Sequence, residues 1–186
     1  MTPRDDSEIL QDVRRDANAF GELYEKYVDR IYNYIYHRVG NVHDAEDLTS
    51  RTFYRALSHI GSYEDKGLPF SAWLYRIAHN VLANWHRDRG RRPVVALDGI
   101  VLHGEGPLQH PEAMALTGDD ARQLAEAIRR LDPQRQELLV LKFSDGLSNV
   151  EIGEIMGRTE GAIKSLYHRT LLALRKELSK KGFEAE

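Results

Sequence analysis

The stretch Pro69-Phe-Ser-Ala-Trp-Leu-Tyr-Arg-Ile-Ala-His-Asn-Val-Leu-Ala-Asn-Trp-His-Arg-Asp-Arg-Gly-Arg-Arg92 decides how the rest of the chain is read. Phe70, Trp73, Leu74, Ile77, Ala78, Val81, Leu82 and Trp85 recur at three-and-four spacing, one buried face of a helix. Pro69 suits the first turn, where a missing N–H costs nothing. A second stripe runs beside that face: Trp73, Arg76, Asn80, Asn84 and Arg87, leading into Arg89, Arg91 and Arg92. Packing alone requires only the first stripe. An aromatic ring, two amides and several guanidiniums along one edge are suited to bases and phosphates. A solvated face whose basic end complements the helix dipole would carry similar residues.

The totals narrow the field. The chain has 186 residues, enough for one medium or two small domains, and no cysteine, which excludes disulfides, thiolate zinc sites and a thiol switch within it. Its formal net charge is -3, yet the acids crowd the first 47 residues while bases gather at 87–92 and in the last helix. No apolar run approaches the roughly 18 residues of a spanning helix. The start, Met-Thr-Pro-Arg-Asp-Asp, lacks the apolar centre of a signal peptide, so a soluble cytoplasmic protein is expected.

Upstream, a short polar lead precedes Asn18, read as the cap of a helix carrying Phe20, Leu23, Tyr24, Tyr27, Val28, Ile31, Tyr32 and Ile35. Gly40 and Asn41 end it. A second helix starts near Asp44 with Ala45, Leu48, Thr52, Phe53, Ala56, Leu57 and Ile60 inward, and Glu46, Asp47, Ser50, Arg51 and Arg55 outward. A turn-like segment, residues 61–67, leads into the opening helix. No stretch alternates like a strand, so residues 1–92 are read as an all-helical unit.

Composition changes at Pro93. Residues 93–117 carry glycine and proline without helical period and are read as a flexible linker spanning roughly 25–30 Å. From 118 to 186 the helices return. Leu124, Ala127, Ile128 and Leu131 mark one; Asp132-Pro133 opens a second, broken at Gly146; Ser148 and Glu151 form a capping box for a third. Gly157 ends that helix, Thr159 recaps, and a long helix runs to about Ser179. This is the helix-turn-helix pattern. The last helix buries Ile163, Leu166, Tyr167, Thr170, Leu171, Leu174 and Leu178, and presents Gly161, Lys164, Ser165, His168, Arg169, Arg175 and Lys176. Its N-terminal part would enter a major groove, making Lys164, Ser165, His168 and Arg169 candidates for base edges and nearby phosphates. Thr159 and the first-turn N–H groups suit a phosphate. DNA contact does not explain the outward Leu172.

Three motifs in order carry a resemblance: Asp44-Ala-Glu-Asp-Leu-Thr-Ser-Arg-Thr-Phe53, Ala72-Trp-Leu-Tyr-Arg-Ile-Ala-His-Asn80, and Gly146-Leu-Ser-Asn-Val-Glu-Ile-Gly-Glu-Ile-Met-Gly157 followed by Glu160-Gly-Ala-Ile-Lys-Ser-Leu-Tyr-His-Arg169. From about Ala19 to Leu178 the chain resembles extracytoplasmic-function (ECF) sigma factors, specificity subunits of bacterial RNA polymerase. The resemblance implies an all-α fold of two small domains, region 2-like (1–92) and region 4-like (118–186), reading the −10 and −35 promoter elements across the linker. It implies −10 contacts from Tyr63, Trp73, Arg76, Asn80, Asn84, Arg87, Arg89, Arg91 and Arg92, and −35 contacts from Arg158, Thr159, Lys164, Ser165, His168 and Arg169. Asp47, Leu48, Arg51 and Arg55 would grip the β′ clamp helices of core RNA polymerase, with the β flap as a further contact. Segment 61–67 resembles the loop that captures a base flipped from the melted strand, and the linker resembles the one threaded toward the RNA exit path.

Two departures accompany the likeness. Leu166 and Thr170-Leu171-Leu172 stand where many relatives carry more arginine, which implies weaker −35 binding. No further domain follows within the sequence to Glu186, so control is expected from a separate anti-sigma factor. Neither a cofactor nor a metal is expected: the histidines are scattered, no glycine-rich phosphate loop appears, and His79 and His86 are read as helix-surface residues. An enzyme is therefore disfavoured. A free-standing two-domain repressor or activator is the competing class, distinguished by specific, steeply salt-dependent DNA binding without polymerase.

Overall fold

The computed structural model describes residues 4–90 and 118–180, and every regular element among them is helical. The segment read as a linker lies outside the described residues. Eight α-helices follow in order: α1 (Asp6–Val13), α2 (Phe20–Val39), α3 (Val42–His59), α4 (Phe70–Arg89), α5 (Gly118–Arg129), α6 (Pro133–Leu139), α7 (Asn149–Met156) and α8 (Glu160–Ser179).

The N-terminal half is built on α2, α3 and α4. Leu23, Ile31, Ile35, Ala45, Leu48, Leu74 and Ala78 are completely buried between them, so the anticipated apolar stripes do form the core. The α2–α3 corner is tight because Gly40 adopts a left-handed conformation (φ 66°), its N–H reaching the Tyr36 carbonyl, while the Asn41 side chain accepts from the Asp44 N–H. With Asn41 as its cap, α3 thus starts at Val42, two residues before the position expected.

Three local readings need correction. The polar lead is a helix, α1, held by Arg4 to Asp12 and Glu22, Lys26 to Asp6 at 2.6 Å, and the Tyr27 hydroxyl donating to Asp6 at 2.5 Å. Asn18 is not a cap; Asp16 accepts from its N–H and begins a short 3-10 turn before α2. Leu57 and Leu171, assigned inward, are each 39% exposed.

In the C-terminal half, Asp132 caps α6 with Pro133 at its first position, as expected. The chain then widens into a π-helical turn, Val140–Ser144, before Gly146. Ser148 and Glu151 make both bonds of the capping box on α7. Gly157 (φ 65°) ends α7, and Thr159 accepts from Ala162 N–H to start α8.

The two halves pack on each other. One continuous apolar cluster runs from Leu74, Tyr75 and Ala78 into Leu138, Leu141, Ile152 and Ile155, with α7 laid against α4. A smaller cluster of Ile128, Leu131 and Leu139 joins α5, α6 and α8.

Candidate nucleic-acid interface and domain seam

The α4 edge and the segment after α3 create the first surface. Tyr63 is buried, its ring edge-on to Trp73 at 5.1 Å and to Phe70 at 5.5 Å, and its carbonyl accepts from Arg14. That aromatic wedge fixes the face of Trp73. Beside it, Trp73, Arg76 and Asn80 line a cleft of about 300 Å³ together with Ser62, Arg55 and His59. Three residues of the sequence stripe therefore share one concavity, bordered by Ser62 of the 61–67 segment. Tyr63 is not at its surface, however, and acts by supporting Trp73.

Farther along α4, Asn84, Arg87 and Arg89 line a second cleft of about 410 Å³, shared with Asp47, Arg51 and Arg55 from α3. Residues assigned to two different partners thus border one groove. Arg51 pairs with Asp47 at 3.0 Å, and Arg89 lies over Trp85 at 4.8 Å while pairing with Asp44 at 3.1 Å. Leu48 has no exposed surface, which corrects its assignment as a gripping residue: it packs α3 from within. Arg91 and Arg92 lie outside the described residues.

On α8, Lys164, Ser165, His168 and Arg169 share an exposed face. Lys164 pairs with Glu160 at 2.7 Å, and Arg169 Nε donates to the Ser165 carbonyl. Thr159 spends its acceptor oxygen on the cap, and Arg158 is partly buried in the turn before it.

The sequence reading missed a third arrangement, a polar seam where the halves meet. Glu137 on α6 is 3% exposed. Its Oε1 accepts from the Tyr34 hydroxyl at 2.6 Å and bonds His79 Nδ1 at 2.7 Å, while Oε2 lies 3.6 Å from Arg38. Arg38 also donates to the Pro133 carbonyl, at 3.2 Å. Burial alone would raise the Glu137 carboxyl, but the bonds and charges from His79, Arg38 and Tyr34 outweigh it and hold it near 2.

Asp145 accepts from the Tyr75 hydroxyl at 2.5 Å, and Arg30 donates to its backbone carbonyl at 3.2 Å. Burial dominates here and pushes the carboxyl up to about 6 against the Tyr75 bond and the Arg30 charge, and its Oδ2 has no hydrogen-bond partner. Arg76 of the α4 edge pairs with Glu154 on α7. His86, expected at the surface, is 8% exposed in this seam with neither ring nitrogen bonded. Burial and then Arg38 drive its pKa down to about 4, so it is neutral at pH 7. Nothing in local periodicity identifies these residues, although the fully buried Tyr34 and Tyr75 hydroxyls each required an acceptor.

Among the described residues no three His, Asp or Glu side chains are grouped to hold a metal, and no helix is long and apolar enough to cross a membrane.

Comparison with known proteins matches residues 23–92 to Sigma-70 region 2 and residues 121–174 to Sigma-70, region 4. The chain is 41% identical over 174 residues to the ECF RNA polymerase sigma factor BldN of Streptomyces coelicolor, covering 91% of this chain and 66% of that protein. It is 36% identical over 179 residues to the ECF RNA polymerase sigma factor SigW of Bacillus subtilis, covering 91% and 94% respectively. The chain thus spans just under two thirds of BldN and nearly all of SigW. Among solved structures, CnrH in complex with the cytosolic domain of CnrY aligns with a TM-score of 0.63 at 22% identity, covering 92% of this chain and 95% of that one. The sigma factor RpoE of Bartonella quintana, in complex with the anti-sigma factor NepR, aligns at 0.61 and 24% identity, covering 86% and 96%. Both likenesses concern the fold.

Proposed function

The chain belongs to the extracytoplasmic-function RNA polymerase sigma factors, and from that premise we propose that it binds core RNA polymerase and directs promoter-specific initiation, including −10 melting. The observation that carries this reading is the convergence of Trp73, Arg76 and Asn80 on one cleft beside the segment after α3. A base leaving the stack costs a few kcal/mol, recovered by stacking and by hydrogen bonds to its edges. Trp73 offers the ring, Asn80 the amide and Arg76 a charge for the adjoining phosphate, with Asn84, Arg87 and Arg89 continuing the path.

Residues 1–92 then act as the −10 module, 93–117 as the connector and 118–186 as the −35 module. Lys164, Ser165, His168 and Arg169 face the major groove. The outer face of α3 meets the β′ clamp helices through Asp47, Arg51 and Arg55, joined by Tyr54, which is 73% exposed. The β flap meets the C-terminal module. The polymerase supplies the chemistry and this chain supplies no catalytic group, working in the cytoplasm where promoters are read. An anti-sigma factor controls it; RpoE is bound to NepR in its solved structure.

Transcription from a matched promoter with purified core polymerase tests the reading. Transcript should require the protein, and equal transcript without it refutes the proposal. Arg76→Ala with Asn80→Ala should lower permanganate reactivity of the −10 region about thirtyfold or more, the sum of two contacts each worth roughly 1–3 kcal/mol, with core binding retained. Unchanged reactivity removes the stripe from melting.

A further inference from the structure

The seam has a consequence for the candidate interface, resting on the reading of Arg76 as a strand contact. Its acidic side chains all come from the C-terminal half: Glu137, Asp145 and Glu154. Those that receive them come from the N-terminal half: Tyr34, Arg38, Tyr75, Arg76 and His79. This is the complementarity of a docking surface, and apolar contact continuous across both halves underlies it. Glu137 and Asp145 anchor α6 and the π turn, which seats α7 against α4. Glu154 on α7 then meets Arg76, one of the residues converging on the strand cleft.

We propose that the two halves of the free chain dock through this seam and that Glu154 holds Arg76 in place of the nucleic acid, making docking and strand binding competing states of one molecule. A phosphate approaching Arg76 meets a carboxylate already there. Trp73 and Asn80 remain open to the cleft, so the competition is for the cation rather than for the whole groove. Separation of the halves frees Arg76 and removes the opposing charge together.

The Arg76–Glu154 pair is half-exposed and screened, so its own contribution is modest. The buried Glu137 with its three partners is the stronger anchor. The chain has no cysteine, so spin labels at Glu25→Cys and Ser179→Cys, both exposed, report the separation of the halves in the full protein. A single narrow distance distribution is expected for this parent. With Glu137→Gln and Glu154→Gln added, the distribution should broaden as the open population rises about a hundredfold or more. A parent distribution as broad as the variant's, or a variant as narrow as the parent, overturns the proposal.

The competition itself is read with a short fluorescent oligodeoxythymidylate. Glu154→Gln alone should tighten binding about two- to fivefold, and the gain should vanish in Arg76→Ala with Glu154→Gln. A gain that persists without Arg76 refutes the competition. The label experiment contains neither polymerase nor promoter, so its failure and the failure of the transcription assay are separate results.

Discussion

Replacing Gly153 with alanine is expected to destabilise the C-terminal half by about 2–3 kcal/mol, an overpacking cost that exceeds the roughly 1 kcal/mol an alanine gains inside a helix. A β-carbon at Gly153 would sit 2.6 Å from the Arg158 carbonyl oxygen, a backbone atom that cannot swing aside like a side-chain tip. The Arg158 N–H already donates to the Gly153 carbonyl at 2.8 Å, and left-handed Gly157 and the Thr159 cap pin the same turn. Relief therefore requires moving the start of α8 away from α7, which tilts the face bearing Lys164, Ser165, His168 and Arg169. Gly161→Ala supplies the opposite sign. That position is helical with nothing within 4 Å of an added β-carbon, so alanine should leave stability unchanged or raise it by up to about 1 kcal/mol. Urea denaturation followed by circular dichroism compares the two. Equal midpoints would show that the turn yields freely and that Gly153 does not set the helix-turn-helix angle.

What local chemistry specifies, the sequence made readable. The capping box at Ser148 and Glu151, the stop at Gly157, the restart at Thr159 and the α8 terminus at Ser179 stand where they were expected, because each depends on residues a few positions apart. The apolar stripe of α4 and the convergence of Trp73, Arg76 and Asn80 follow from a 3.6-residue period in the same way. The errors share a different cause. Helix α1 offers a thin apolar stripe, Ile9, Leu10 and Val13, and is held by ion pairs to α2 that no local pattern announces. Leu48 fits the period of α3 but lies on its inner side, so family likeness placed it at a surface that geometry denies it. The seam was invisible because the partners of Glu137 lie as far as 103 positions away in sequence, and those of Asp145 as far as 115. An acidic residue in an apolar run reads as solvated until the facing arginine and tyrosine are seen.

Neutralising Glu137 is the second large effect, and its cost should fall on docking rather than on either half alone. Glu137→Gln leaves Arg38, 6% exposed and already without a partner at Nε, facing an uncharged amide. Removing one member of a buried pair costs about 3–5 kcal/mol. Tyr34, Arg38 and His79 belong to the N-terminal half and Glu137 to the C-terminal half, so cooperative unfolding of the parent should split into two transitions in the variant. The pH dependence of the parent follows from the signs of three shifts. Glu137, depressed to about 2, contributes stability present above its ordinary value of 4.5 and lost as pH falls through about 2. Asp145, raised to about 6 by burial against the weaker pull of Tyr75 and Arg30, contributes fully below 3.8 and loses that contribution as pH rises through about 6. His86, lowered to about 4 by burial and Arg38 against Glu137, contributes above 6.5 and fails as pH falls through about 4. Between pH 6.5 and 4 the last two oppose each other, so acidification changes the parent's stability only weakly. Asp145→Asn removes the compensating gain, and the variant should lose stability steadily across that interval, because the unfolded chain takes up a proton at His86 that the folded chain does not. Parallel pH profiles for parent and variant would mean that Asp145 ionises freely and is not enclosed by the seam.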